Sequence, residues 1–266
     1  MLESVLIFLA QLISQKSPDM QSANQFLYNH INEDFYDEQT RSPNPLRRWF
    51  HLNRYRIGQS LVKAQYRPGM TIVDLGCGSA NWNTEKLPVT GIDVNQQLLE
   101  TGKQAGRLSS YMVRETAADT GLPAGSCDIV TAFEFLEHVP EYPTVIKEAK
   151  RILKDGGRFI VSVPHDTLLS LWRPLFFLQV ILQGYIRQND YYKKRCGHVN
   201  HFSIPAIKRA LESQGFTVDC AFSMRRFTVF LSAQKAKARD EKTPSRNFEA
   251  LTIILPTLNE ERALPG

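Results

Sequence analysis

Several absences narrow the reading of this sequence before any motif does. No apolar run approaches the roughly 20 residues that a membrane-spanning helix needs. The four cysteines, Cys77, Cys127, Cys196 and Cys220, form no C-x-x-C pair and keep no regular spacing, so neither a disulfide framework nor a zinc ribbon organises the chain. Internal repeats and low-complexity tracts are missing as well. Carboxylates are absent between Arg41 and Arg67, where six arginines and one lysine stand, whereas Glu33 to Glu38 holds four acids. A local basic surface follows, read first as a solvated helix face and second as a contact for an anionic ligand or membrane surface. The basic stretch is short and no RNA-binding motif accompanies it, so nucleic acid is not expected as a partner. The first ten residues carry Glu3 and no early lysine or arginine, a poor fit to a secretory signal. They are read as a docking helix, and the chain as cytoplasmic, with peripheral contact at the inner membrane face as an open extension.

What is present suits one large core: 266 residues, of which 42% are hydrophobic. Residues 1–68 read as an N-terminal helical extension, with Asn44-Pro45 starting a helix near Leu46 and Arg67-Pro68-Gly69 stopping it. From Met70 onward strands are expected near 71–75, 89–93, 110–115, 128–133 and 158–163, separated by helical or turn segments. A first helix is squeezed into about Asn81 to Leu87, roughly 10 Å long. Ser203 can cap a helix over Ile204 to Gln214 that Gly215 ends, and two strands near 216–222 and 226–233 would close the sheet. The domain spans 69–234, with a bulky apolar insertion at about 166–200 read as a lid. Residues 235–249 are read as a polar linker, and 250–266 are expected to be the start of a further, truncated unit, with an edge strand as the alternative. The alternation argues for an α/β fold, a doubly wound, mostly parallel seven-stranded sheet with an antiparallel edge strand.

The first strand delivers Asp74 and the turn Gly76-Cys77-Gly78 to the carboxyl edge of that sheet, where open α/β folds bind ligands. Lacking a Cβ, Gly76 and Gly78 permit positive φ and bring main-chain amides near a ligand carboxylate. Asp93 ends the next strand, placed to accept both hydroxyls of a ribose. Asn81 stands where G-x-G-x-x-G requires its third glycine, and an acid, Asp74, stands two places before the first, which together argue against a nicotinamide dinucleotide. With Gly91-Ile-Asp-Val94, Leu122-Pro-Ala-Gly-Ser-Cys-Asp-Ile-Val130, Phe135-Leu-Glu-His-Val139 and Leu153-Lys-Asp-Gly-Gly-Arg-Phe-Ile160, the chain resembles the class I methyltransferases from about Met70 to Gln234. The resemblance implies a Rossmann-like fold and S-adenosylmethionine as cofactor. It implies Asp74, Gly76, Cys77 and Gly78 beside the methionine end, Asp93 and Val94 on ribose and adenine, and Asp119 on the adenine amino group. Phe133 and Glu134 match positions lining the cofactor and the methyl-transfer face.

A sulfonium cofactor is already an activated electrophile, so the protein must chiefly hold a nucleophile in line and exclude water. For a hydroxyl acceptor a nearby base would help, and histidine suits neutral pH. His165, with Asp166 after the fifth strand, and His201 are the candidate catalytic residues; turn chemistry is the alternative for the first pair. His138 lies near the pocket in either a structural or a functional role. Cys196, His198 and His201 with Asp166 can in principle hold a metal, but packing is the stronger reading and no metal is expected. Trp172, Arg173, Phe176 and Phe177 could lie in a lipid interface, helped by the basic segment Arg47 to Arg56. The expected reaction is O-methylation of a small-molecule, glycan or lipid-linked acceptor. Residues 250–261 resemble the first strand of family 2 glycosyltransferases, which implies a fused or adjacent glycosyltransferase and, as an alternative function, a catalytically silent domain docking that partner to membrane.

Overall fold

The computed structural model describes residues 31–236, apart from 168, 169 and 194. The expected docking helix at the start, nearly all of the linker and the segment 250–266 lie outside the described residues.

Seven strands, β1 (Ile72–Leu75), β2 (Val89–Asp93), β3 (Ser110–Val113), β4 (Cys127–Phe133), β5 (Leu153–Pro164), β6 (Phe216–Met224) and β7 (Thr228–Lys235), form one sheet in the order β3-β2-β1-β4-β5-β7-β6. The first five pair in parallel, and β7 runs antiparallel between β5 and β6. From β1 the order proceeds outward in opposite directions, to β2 and β3 on one side and to β4 and β5 on the other. The carboxyl ends of β1 and β4 therefore flank a crevice. All four residues of β1 are buried, as a parallel strand covered on both faces requires.

The helices are α1 (Phe35–Thr40), α2 (Pro45–Gln65), α3 (Gln96–Gln104), α4 (Tyr142–Ile152), α5 (Trp172–Gln179), α6 (Asp190–Lys193) and α7 (Ile204–Ser213). Asn44 starts α2 where expected: its side chain accepts from the amides of Leu46 and Arg47 at 3.0 and 3.2 Å, and Pro45 stands where no intrahelical donor is needed. Ser203 likewise accepts from the Ala206 amide at the start of α7. Gly58, Gln59 and Val62 bury one face of α2 against the sheet. Gly58 is there because the Phe133 ring fills its side-chain space; a Cβ would meet that ring at 3.3 Å.

Three expectations change. Residues 81–87 form turns, not a helix. Asn83 captures the backbone: its amide nitrogen donates to the Leu87 and Arg107 carbonyls, and its oxygen accepts from the Leu87 amide. Ala80 and Lys86 have positive φ, and Pro88 biases Leu87 away from helix. Strand β5 starts at Leu153, five residues early, because Leu153 pairs with Cys127 ahead of a bulge and receives Lys235 Nζ on its carbonyl at 2.6 Å. In the lid, α5 runs on into a π-helical stretch, Val180–Ile186. Trp172 and Phe176 stack on each other and on His198, so they face the body, while Leu171, Leu175, Leu178, Ile181, Leu182 and Ile186 are the exposed large apolar residues of this segment. Among the described residues no helix is long and apolar enough to cross a membrane.

Candidate active site

A cavity of about 230 Å³ opens at the carboxyl ends of β1, β2 and β4. Its floor is the glycine turn. Gly76 and Gly78 take φ of +63° and +51°, and the turn folds back on β2 so that the Gly76 and Cys77 amides donate to the Ile92 carbonyl at 2.8 and 3.2 Å. The Gly78 amide donates to Asp93 Oδ2 at 2.8 Å. These amides are thus already engaged within the protein, unlike the expectation that they would face a ligand carboxylate. Asp93 Oδ1 also accepts from the Asn95 amide at 2.9 Å. A carboxylate has about four acceptor positions, so it retains capacity toward the cavity. Burial holds the Asp93 carboxyl above the usual range. Val94, Ile92 and Leu98 line the adjoining wall.

Asp74, 1% exposed, has both oxygens engaged: Oδ2 by Trp82 Nε1 at 2.7 Å and Oδ1 by the Thr131 hydroxyl at 2.6 Å. Burial pushes its carboxyl up to about 7. Although it borders the cavity, its direct work is to hold Trp82, whose ring packs edge-on against Phe133 at 5.3 Å.

The N-terminal extension supplies the opposite wall. Tyr36 of α1 covers Gly78, and Arg54 of α2 reaches Glu134 Oε2 at 3.0 Å. Ser162 Oγ donates to Glu134 Oε1 and also accepts from the Glu134 amide, holding this residue at a φ of +49°. Such a conformation costs roughly 1–3 kcal/mol and persists only when its surroundings impose it. Burial works against the Arg54 charge, but Glu134 more than restores it, so the guanidinium stays fully protonated. Burial and Asp93 raise the Tyr36 hydroxyl. His138 also lines this side, and burial drops its pKa to about 4, leaving the ring neutral.

Of the residues singled out from sequence, Asp74, Gly76, Cys77, Gly78, Asp93, Val94 and Phe133 meet at the cavity. Asp119 does not line it. Strand β3 ends at Val113, so Glu115, Thr116 and Ala117 reach the rim, while exposed Asp119 accepts from the Gly121 amide in a turn. His165 and His201 do not line it either. His165 Nδ1 lies 3.0 Å from Ser223 Oγ beside the β6–β7 hairpin. His201, 58% exposed, pairs with Asp166 at the lid base, and Arg173 approaches the same carboxylate at 3.7 Å. The proposed grouping of Cys196, His198 and His201 with Asp166 is thereby divided, because His198 turns inward against His138 with ring centroids 4.7 Å apart. Sequence reasoning missed Tyr36, Trp82 and above all Arg54, which was placed in the solvated basic face. The missing signal was helical spacing, since Arg54 lies four and eight residues before the buried Gly58 and Val62.

Residues 47–221 match a family model described as a methyltransferase domain. The ubiquinone biosynthesis O-methyltransferase of Vibrio parahaemolyticus is 30% identical over 127 residues, covering 45% of this chain and 54% of that protein. The demethylmenaquinone methyltransferase of Staphylococcus epidermidis is 31% identical over 119 residues, 41% of this chain and 49% of that one. The chain thus spans about half the length of these relatives. Magnesium protoporphyrin IX methyltransferase of Synechocystis, solved with S-adenosylmethionine bound, shares the fold at a TM-score of 0.57 and 15% identity, covering 84% of this chain and 100% of that one. With the family model matching well over half of the sequence and the sheet order and glycine-turn cavity in place, this chain belongs to the methyltransferase-domain family.

Proposed function

We propose that the protein is an enzyme that transfers the methyl group of S-adenosylmethionine to an oxygen of a small-molecule acceptor carrying an apolar or lipid-linked portion. The observation that carries this reading is one continuous cavity joining the glycine turn and Asp93 to the Arg54, Glu134 and His138 wall. The residues fit the cofactor: a carboxylate for ribose hydroxyls at the end of β2, an apolar wall beside it for a base, and a turn tight enough to let a ligand lie on its backbone. When bound, the cofactor supplies a methyl group on a positively charged sulfur. Asp93 orients the nucleoside, and the aromatic rings of Tyr36, Tyr55, Phe133 and Phe135 exclude water from the reacting end. Arg54, with Glu134, gives a fixed charged pair that orients a polar acceptor group. His165 and His201 are assigned no part in the transfer, because neither reaches the cavity.

The apolar portion of the acceptor is inferred from the lid. A second groove, lined by Leu175, Leu178 and Leu182 with Phe50, His51 and Phe227, lies next to Arg54, whose Nη2 is 3.2 Å from His51 Nδ1. Arg47 borders this groove and Arg48 is exposed on the same helix, suiting an anionic membrane surface. The named quinone-biosynthesis relatives support the same class of acceptor. Calorimetry with S-adenosylmethionine should give one binding event, which Asp93→Ala weakens at least about tenfold, roughly one lost charged hydrogen bond. Isotope-labelled methyl transfer to a catechol bearing an isoprenoid chain should exceed transfer to the chainless catechol. Absence of cofactor binding would refute the reading, and equal rates on both catechols would refute the apolar acceptor.

A further inference from the structure

Beneath the lid, three potential ligands converge. Glu137 and His138 stand on a single 3-10 turn after β4, and His198 comes from the segment between α6 and α7. One ligand atom from each lies within 4.8 Å of the others. The two segments are tied together independently of these side chains. The Glu137 carbonyl accepts the amides of Val199 and Asn200 at 2.8 and 3.0 Å, and Asn200 Nδ2 donates to the Leu136 and Val139 carbonyls at 3.0 and 2.6 Å.

Glu137 is 1% exposed, and its Oε2 finds no hydrogen-bond donor among the described residues. A buried carboxylate oxygen in that state is costly unless a cation or proton meets it. His138 Nδ1 lies 3.3 Å from the Gly197 carbonyl, which can only accept, so Nδ1 carries the proton. The His138 Nε2 lone pair is then 3.7 Å from Glu137 Oε1. A cation or a proton held between these atoms would satisfy both, and the unpartnered Glu137 Oε2 beside them. The His198 ring is fixed by stacking on Trp172 and Phe176, at 5.5 and 5.3 Å and within 8° of parallel.

We propose that Glu137, His138 and His198 bind one divalent ion of the zinc type, with a further coordination position open toward the cavity. Two imidazoles and one carboxylate are a donor set that zinc uses where it keeps an exchangeable ligand. Two nitrogen donors disfavour magnesium and calcium, which prefer oxygen. The His138 contact with a backbone carbonyl is the outer partner that metal-bound histidines usually have. Because His138 lines the cavity, the open position can take an oxygen of the acceptor. That use rests on the methyl-transfer reading; binding of the ion does not.

The test uses the full chain stripped with a chelator and titrated with Co2+ by visible absorption and with Zn2+ by calorimetry. One equivalent should bind, with the visible bands of a four- or five-coordinate cobalt ion that Zn2+ abolishes. His198→Ala and Glu137→Gln, each checked for folding by circular dichroism, should each weaken Zn2+ binding by more than about tenfold. In the unaltered protein, Zn2+ should protect His138 and His198 from diethylpyrocarbonate, read by mass spectrometry. No stoichiometric uptake, or uptake that leaves both histidines equally reactive, overturns the site. Cofactor binding measured on the same stripped sample separates this failure from failure of the methyl-transfer reading.

Discussion

Arg54→Met tests the placement that departs furthest from what the basic segment suggests. Were Arg54 on a solvated helix face, the substitution would change stability by no more than about 0.5 kcal/mol. In the structure its side chain is 12% exposed and pairs at 3.0 Å with Glu134, itself 14% exposed. Removing one partner strands the other carboxylate with Ser162 as its remaining donor, a situation that typically costs about 3–5 kcal/mol. Slight exposure of both groups argues for the lower end, about 3 kcal/mol. The guanidinium also lies 5.2 Å from the ring centroids of both Phe50 and Tyr55, adding about 0.5–1 kcal/mol for each cation–π contact. Methionine keeps much of the stem's packing, so the loss is mainly electrostatic. Urea denaturation should therefore show a destabilisation of about 3–5 kcal/mol with an unchanged slope. The double variant Arg54→Met, Glu134→Gln should recover at least about 1 kcal/mol, because glutamine carries no charge to strand. A change within 0.5 kcal/mol, or a double variant whose loss is simply the sum of the single losses, would refute a buried pair.

Two further perturbations probe the turn. Asp74 has a folded-state pKa of about 7 against an ordinary 3.8, so its contribution to stability is full below about pH 4 and is lost as pH rises through 7. At 1.36 kcal/mol per unit the swing is about 4 kcal/mol. Asp74→Asn, which never ionises, should move from less stable than the wild type at pH 4, through one lost hydrogen bond, to more stable at pH 8; a pH-independent difference counts against the buried acid. Gly76→Ala places a Cβ 2.0 Å from the Phe135 ring at a φ of +63°, whereas Gly125→Ala has nearly the same φ, +64°, and nothing within 4 Å. The second should cost about 1 kcal/mol and the first clearly more, with loss of cofactor binding; equal melting temperatures for the two variants would show that Phe135 does not close on the turn.

The sheet was legible because its signals are local and redundant. Buried β1 is a short apolar run ending in glycine, and Asn44-Pro45 and Ser203 announce their helices through capping chemistry that depends on adjacent residues alone. The failures share a different origin. The 81–87 segment stands where the strand-helix alternation calls for a helix, but Asn83 binds the carbonyl of Arg107, a residue 24 positions away. Asp119 was displaced from the rim because Arg114 Nε donates to the Thr120 carbonyl at 3.1 Å and curls the segment after β3. In both places a side chain satisfies distant backbone groups, and no periodicity records that.

The site itself shows why a motif can locate a position without assigning its work. Asp74 belongs to the glycine-turn signature, and one acceptor position on each of its oxygens is already held by Trp82 or Thr131, so its orientation is fixed within the fold before any ligand arrives. Arg54 belongs to no signature and sits 80 residues from Glu134, yet it confronts the cavity with a cation held by that carboxylate. Residues around a shared cofactor can be read from short spacings because the cofactor's backbone contacts demand glycine and an acid at fixed offsets. In the proposed function, acceptor recognition is assembled from α1, α2, the turn after β4 and the lid groove, segments whose meeting is a property of tertiary packing. Variants that distinguish acceptors are therefore expected at Tyr36, Arg54 and His138, whereas variants that abolish the cofactor site are expected at Gly76 and Asp93.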